Sequence, residues 1–542
     1  MAKTCELMGM VRLVLAGFIL IMSFVTPCAG SHLMGGEITW QCQGSGEFIF
    51  KMKLYRDCNG ANGPAVATLD VFNNPLLTQI PLTLFSQTDI SPQCNASTGP
   101  NISCANAQSQ PNWPNSLTPV AGAVEEFLYQ SAPITLTGTP PAGGWIFAYS
   151  SCCRNSTITN VSNSGGGVGF TLRAIMYSYN NGNTSPCYDN SPEFLESPNT
   201  IICTGYPFTY NHNAVDAEMD SLSYDWAQPF DSYTTLPPAP FSANPVPFVA
   251  GFSYNSPMPG TAQDPNNVAA TINPVTGEIS YTSFTSGNYV TCVKVTAWKC
   301  GVIVAEIYRD IQVILLPCSN NSPPSLVPPF NGNTSFSDTV YAGALVTFNL
   351  PATDLDLLSN GQPQTMTMTA TGQQFGAGFS STTTGCPNPP CATLTPPPPI
   401  SGQFNISTDF SWQTDCGHVL STSACYVPSN TYNFIIRTTD DFCPAPAQTI
   451  ATISIKVLNL PVVTSPFLHC IAVAPNGDVA LTWDQPADTG GTFNSYHIFT
   501  STSSTGPFTA IDSVFNYNQL TYTHTGANAN ASPVYYYVTT RS

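Results

Sequence analysis

Charge is scarce in this chain. Asp, Glu, Lys and Arg make up only 8% of its 542 residues, against about 25% in ordinary soluble domains. Basic residues are the scarcest, with 13 Lys and Arg against 31 Asp and Glu and a formal net charge of −18. Nucleic-acid binding needs clustered cations to displace the counterions of phosphates. The few lysines and arginines are scattered, so nucleic acid is excluded as a partner. An acidic surface favours divalent cations and disfavours close approach to anionic lipid or polymer. Beyond the N-terminus no apolar run reaches the roughly 20 residues that span a bilayer, and no amphipathic helical period persists for more than a turn or two. Catalytic signatures are missing too: there is no HExxH, no GxSxG elbow, no glycine-rich phosphate loop followed by a helix and lysine. No CxxC or Cys/His set has zinc spacing. The histidines, His32, His212, His418, His469, His497 and His524, are scattered. Beyond His32 they read as surface or turn residues, and Glu125-Glu126 reads as a solvated strand start. The expectation is a chain that is not an enzyme.

Ser, Thr, Asn, Gly and Pro fill the space that charge leaves, a mix that suits short strands and long surface turns. Lys3 and Arg12 flank the start of an apolar run, Leu13 to Val25, and Pro27, Cys28, Ala29 and Gly30 follow. This order predicts a secretory signal peptide over 1–30 and a mature chain from near Ser31. Export delivers cysteines to an oxidising compartment, where disulfides are the expected use. The 19 cysteines, less Cys5 and Cys28 in the signal, leave 17. The odd number means at least one pairs outside the chain or not at all. The long loop from Ser91 to Pro114 holds Cys94 and Cys104, whose pairing would staple it. Cys152 and Cys153 are adjacent; on a strand they point to opposite faces and take two different partners.

Residues 36–54 alternate apolar and polar about a Gly-Ser-Gly turn at 44–46, which predicts a β-hairpin. Three boxes follow one another: SHLMGGEITW (31–40), LYRDCNG (54–60) and SSCCRN (151–156). The first 200 residues thereby resemble the N-terminal region of large exported Bacteroidota surface proteins. Proteins of that type carry a gliding-motility-associated C-terminal domain and leave the cell by type IX secretion. The resemblance implies surface adhesion, matrix contact or gliding motility.

The chain divides into four expected β units, an all-β array of tandem sandwiches. The first, over 31–190, holds strands near Phe48–Tyr55, Phe127–Leu136, Gly144–Tyr149 and Val168–Tyr177. The second, over 191–320, ends in two strands around a Lys-Cys-Gly turn, and its IYRDI (307–311) echoes LYRDC (54–58). The third, over 321–460, repeats the plan of the second, so both resemble cadherin- or Ig-like sandwiches. Its loop 386–400, with four consecutive prolines, is expected to be extended and poorly ordered. The fourth, over 461–542, resembles a fibronectin type III domain, with Trp483 in its core and Tyr535 or Tyr537 facing that core from the sixth strand. No residues remain for a seventh strand, and an open sheet edge is costly. The native polypeptide is therefore expected to continue past Ser542.

Acidic residues carry the one chemical pattern. Asp216, Glu218 and Asp220 alternate after Ala214, Asp354 and Asp356 alternate after Ala352, and Asp440-Asp441 end a strand. Hard oxygen ligands two residues apart on an extended segment can close around Ca²⁺, which takes 6–8 of them. The competing reading is polar turns, and the recurrence at matching places favours calcium. The partners expected are an extracellular surface, a matrix or polysaccharide, or other surface proteins. Two alternatives stand beside adhesion. The chain would be the accessory region of a secreted carbohydrate-active or proteolytic enzyme, or a sugar-binding module using Trp226 and Tyr535–Tyr537.

Overall fold

A computed structural model describes residues 33–44, 46–60, 62–95, 103–109, 123–152, 154–155, 157–162, 167–179, 189–198, 201–318, 321–419, 429–443 and 445–542. The expected signal peptide and Cys153 lie outside the described residues. The regular structure among the described residues is almost entirely strand, and the chain divides into two compact units between Lys456 and Val457.

The larger unit is organised by one long antiparallel pairing path. The strand Leu33–Gly44 pairs with Glu47–Asp57, which pairs in turn with Val124–Gln130. The path continues through Gln79–Asp89, Val66–Phe72, Trp145–Ser151 and Phe170–Met176. It closes on itself through Val302–Leu316, which pairs with both Phe170–Met176 and Leu33–Gly44. Alternation explains its interior. In Glu47–Asp57 the side chains of Phe48, Phe50, Met52 and Leu54 are buried while Ile49, Lys51 and Lys53 are half-buried on the other face. Trp40 and Phe50 pack on Phe147 with ring centroids 5.9 and 4.4 Å apart. Each such ring contributes roughly 1.5–3 kcal/mol by leaving water.

This path overturns the expected boundary at residue 190. The long hairpin Gly287–Lys299 and Val302–Leu316, assigned to a separate second unit, completes the sheet of the first. A long-range strand pair leaves no mark in local sequence, whereas the hairpin turn does. Its two loop residues, Cys300 and Gly301, both adopt positive φ, at 52° and 77°, as the tightest hairpins require.

Residues 325–458 form a two-sheet sandwich. One sheet is Ser325–Leu326, Leu345–Thr353, Asn405–Gln413 and Thr393–Thr395, and the other is Ser337–Tyr341, Gln448–Leu458, Ser429–Thr439, Thr365–Thr371 and Ile400–Gln403. Phe410 and Phe434 meet in its core at 5.0 Å. The proline-rich loop was expected to be poorly ordered, and it is instead anchored at several points. Cys386 bonds Cys391, Thr393–Thr395 joins a sheet, and the Pro390 carbonyl accepts from the Trp412 indole at 2.9 Å. Side-chain anchors thus supply what the prolines cannot donate.

In the smaller unit two three-stranded sheets enclose Trp483, Leu481, Tyr496 and Ile498. Trp483 lies on the second strand and is buried, as expected. The tyrosines are a correction by one residue. Tyr536 and Val538 pack on the core, while Tyr535 and Tyr537 face outward, Tyr537 stacking on Phe499 at 4.7 Å. In a strand of period two, a shift of one exchanges the faces.

Candidate functional site

The three sequence boxes converge on buried ion pairs. Gly35 and Gly36 let the strand Leu33–Gly44 approach both neighbours, because a Cβ would strike the Asp310 carbonyl from Gly35 and the Lys53 carbonyl from Gly36. The next residue, Glu37, is gripped from both sides. Arg309 donates to its two oxygens at 2.6 and 2.7 Å, and the Tyr55 hydroxyl donates at 3.1 Å. Arg309 also donates to the Glu196 carbonyl at 2.6 Å and lies over the Phe194 ring. Arg154 of the third box pairs with Asp310 at 2.8 and 2.5 Å, and Arg56 pairs with Glu125. The two Tyr-Arg-Asp segments therefore flank one strand, which gives their echo a structural meaning. Every charge in this set is paired and hydrogen-bonded, as burial demands. Glu125 is a correction, since it is buried against Arg56 and not solvated. His212 and His418, expected at the surface, are buried as well. His212 touches Arg309, and burial together with that cation holds its pKa well below the ordinary value. His418 sits against Trp412 and Tyr432.

The acidic residues have two different fates. Asp216, Glu218 and Asp220 occupy the loop before the strand Ser221–Trp226, which pairs in register with Gly287–Lys299 and so brings Lys299 beside Asp220. A two-residue pairing, Glu193–Phe194 with Ala214–Val215, draws in the segment that starts at Asp189. Hydrogen bonds fasten that segment to Leu33–Gly44: Trp40 N–H donates to Ser191 Oγ at 2.8 Å and Cys42 N–H to Asn190 Oδ1 at 2.7 Å. The result is a cluster of Asp189, Asp216 and Glu218 whose ligand oxygens lie within 4.8 Å of one another. Asp189 and Asp216 are each only 3% exposed.

Each carboxylate is fixed by protein donors. Asp216 Oδ1 accepts the backbone N–H of Glu218 and of Asp220, both at 3.0 Å. Glu218 accepts from the side chain and backbone N–H of Asn190. Lys299 Nζ donates to Asp189 Oδ1 at 3.2 Å and pairs with Asp220 Oδ2 at 3.1 Å. The second oxygens, Asp189 Oδ2 and Asp216 Oδ2, are buried with no donor. Burial first, then the neighbouring carboxylates, push Asp189 well above the usual carboxylate range and Asp216 up to about 8. Burial raises Glu218 as well. Burial works against the Lys299 ammonium, but Asp189 and Asp220 outweigh it and raise its pKa. Asp189 was missed in the sequence because it stands 27 positions before Asp216, outside any alternating pattern.

The other acidic group makes no such cluster. Asp356 Oδ2 accepts from Ser322 N–H and Oγ at 2.7 and 2.6 Å. Asp440 Oδ1 accepts from Phe442 and Ala447 N–H, and its Oδ2 from Asn321 at 2.9 Å. Asp441 accepts from Thr365 N–H and from Asn95, both at 2.9 Å. Asp354 Oδ1 accepts from Asp356 N–H at 2.9 Å, and Asp354 Oδ2 is left without a donor. These four carboxylates cap turns, and among the described residues they supply no set of three ligand oxygens around one point.

Disulfides whose two cysteines both lie among the described residues include Cys58–Cys104, Cys94–Cys443, Cys203–Cys318 and Cys386–Cys391. The expected Cys94–Cys104 staple is therefore wrong. Cys104 bonds inward to the strand end at Cys58, and Cys94 crosses 349 residues to the sandwich. Cys152 is disulfide-bonded, as are Cys42 and Cys300. Among the described residues Cys292, Cys416 and Cys470 are free.

No protein-family model matches the chain, and no characterised protein matches it. Solved structures of sandwich repeats align at low similarity. Titin domains A168–A170 align at 12% identity over 65% of this chain and 93% of theirs, with a TM-score of 0.17. Chicken CNTN1 FN1–FN3 domains align at 10% identity over 65% of this chain and 92% of theirs, with a TM-score of 0.15. The four N-terminal Ig domains of Dscam1 isoform 6.44 align at 9% identity over 60% of this chain and 67% of theirs, with a TM-score of 0.14. The fold assignment rests on the strand pairing and not on these likenesses. Among the described residues no helix is long and apolar enough to cross a membrane.

Proposed function

We propose that this chain is an exported, non-catalytic protein whose β modules hold or present an adhesive or structural surface outside the cell. The observation that carries the reading is the set of long-range disulfides, above all Cys94–Cys443 and Cys203–Cys318. Such bonds form and persist in oxidising compartments. Cross-links over 349 and 115 residues remove much of the freedom of the unfolded chain, each contributing on the order of 5–6 kcal/mol in the loop-closure view. The residues of the three boxes support the same reading. Glu37, Arg56 and Arg154, with Arg309 of the echoing segment, are buried in ion pairs that join strands, which is the work of a scaffold. The finer assignment, a gliding-motility-associated surface protein of a Bacteroidota bacterium sent out by type IX secretion, rests on the resemblance of those boxes. Thiol titration of the mature protein, unfolded without reductant, tests the export reading. Few reactive thiols are expected, with Cys292, Cys416 and Cys470 among them. Titration of most cysteines would overturn it.

A further inference from the structure

We infer that Asp189, Asp216 and Glu218 form a Ca²⁺ site that organises the loop 216–220 where the closed sheet meets the sandwich 325–458. The inference does not depend on the export reading. Three carboxylates share one small volume, with oxygens within 4.8 Å of one another. Oxygens about 2.3–2.6 Å from a common Ca²⁺ fall within such a spacing. In two of these carboxylates one oxygen, Asp189 Oδ2 and Asp216 Oδ2, is buried and receives no hydrogen bond. An ionised buried oxygen without a donor costs several kcal/mol as an order of magnitude, a cost that a bound cation would relieve. Lys299 supplies a single positive charge, and its ammonium is already shared by Asp189 Oδ1 and Asp220 Oδ2. When ionised, the four carboxylates, Asp220 included, outnumber that single lysine.

The donor set selects the ion. All three ligands are hard oxygens, with no imidazole or thiolate among them, which suits calcium over zinc or copper. Ca²⁺ takes more ligands than three side chains provide, and water completes its shell. A cavity of about 180 Å³ lined by Asp216, Asp220, Asn213, Gln373 and Tyr432 adjoins the cluster. At about 30 Å³ per water it has room for several. The same loop touches the sandwich, with Gln373 donating to the Asp216 carbonyl at 2.7 Å and Asn388 to Met219 Sδ at 3.3 Å. Holding the loop therefore holds the contact between the two sheet systems.

The test is calorimetric titration of the EDTA-stripped, buffer-exchanged mature chain with CaCl₂ and, separately, MgCl₂. Thermal unfolding is recorded with and without Ca²⁺. The expected result is saturable Ca²⁺ binding that raises the unfolding midpoint. Asp189→Asn and Glu218→Gln should each weaken it by more than about tenfold, while Asp356→Asn leaves it unchanged. Glu218→Gln keeps an oxygen for Asn190 and serves alone should Asp189→Asn not fold. No Ca²⁺ response in the unmodified chain overturns the site. So does unchanged affinity in the cluster variants, an equal loss in Asp356→Asn, or tighter binding of Mg²⁺ than of Ca²⁺.

Discussion

Two acidic segments of this chain look alike on paper and differ in the fold. Asp216-Ala-Glu218-Met-Asp220 and Asp354-Leu-Asp356 both alternate carboxylates behind an alanine. Around the second, donors are close at hand: Ser322, Asn321, Thr365 and the N–H groups of Phe442 and Ala447 take up most of the carboxylate oxygens of Asp356, Asp440 and Asp441. Around the first, tertiary structure adds another anion, Asp189, and one ammonium, Lys299. Alternation alone sets the spacing of oxygens along the chain. What arrives from elsewhere decides whether they become turn caps or a buried carboxylate cluster.

The comparison can be broken most forcefully at Lys299. Lys299→Met removes the ammonium that pairs Asp189 and Asp220, and breaking a buried pair costs about 3–5 kcal/mol. Urea unfolding in calcium-free buffer should register that loss, and added Ca²⁺ should recover part of it. Full stability of the variant in calcium-free buffer would mean that the cluster needs no cation.

The second group is sharpened by pH. Burial is the main cause that raises Asp440 from 3.8 to about 7 in the folded state. Between those values the folded protein keeps a proton that the unfolded chain releases. The stabilisation is therefore complete below about 4 and is lost as pH rises through about 7. Asp440→Asn should flatten this part of the stability profile, by roughly 2–4 kcal/mol at most. An unchanged slope from pH 4 to 7 would place the titration on another group. The smallest effect belongs to Asp356→Ala, which frees Ser322 N–H and Oγ. It should cost about 1 kcal/mol and leave Ca²⁺ affinity as it was, as unfolding and calorimetry together would report.

Much of the fold was legible because strand alternation is local. Phe48, Phe50, Met52 and Leu54 announce one buried face, Trp483 one core, and Lys-Cys-Gly one tight hairpin. The boundary at 190 was not legible, since the pairing of Gly35–Glu37 with Arg309–Ile311 joins residues more than 270 positions apart. The Cys94–Cys443 bond was hidden for the same reason, and the nearer Cys104 was the wrong partner. Tyr536 was missed because one residue of register exchanges the two faces of a strand. Half of the carboxylate–lysine cluster was readable, at Asp216 and Glu218, while Asp189 and Lys299 carried no spacing that would link them to it.

By itself the sequence determined the class of structure: period-two hydrophobicity with many turn formers and little charge specifies strands. Tertiary structure alone decided which strand closed the sheet, which cysteines met, and which carboxylates were left without a donor. Those outcomes depend on contacts between distant residues, and the free energy of a buried charge is set by whichever groups the folded chain places around it.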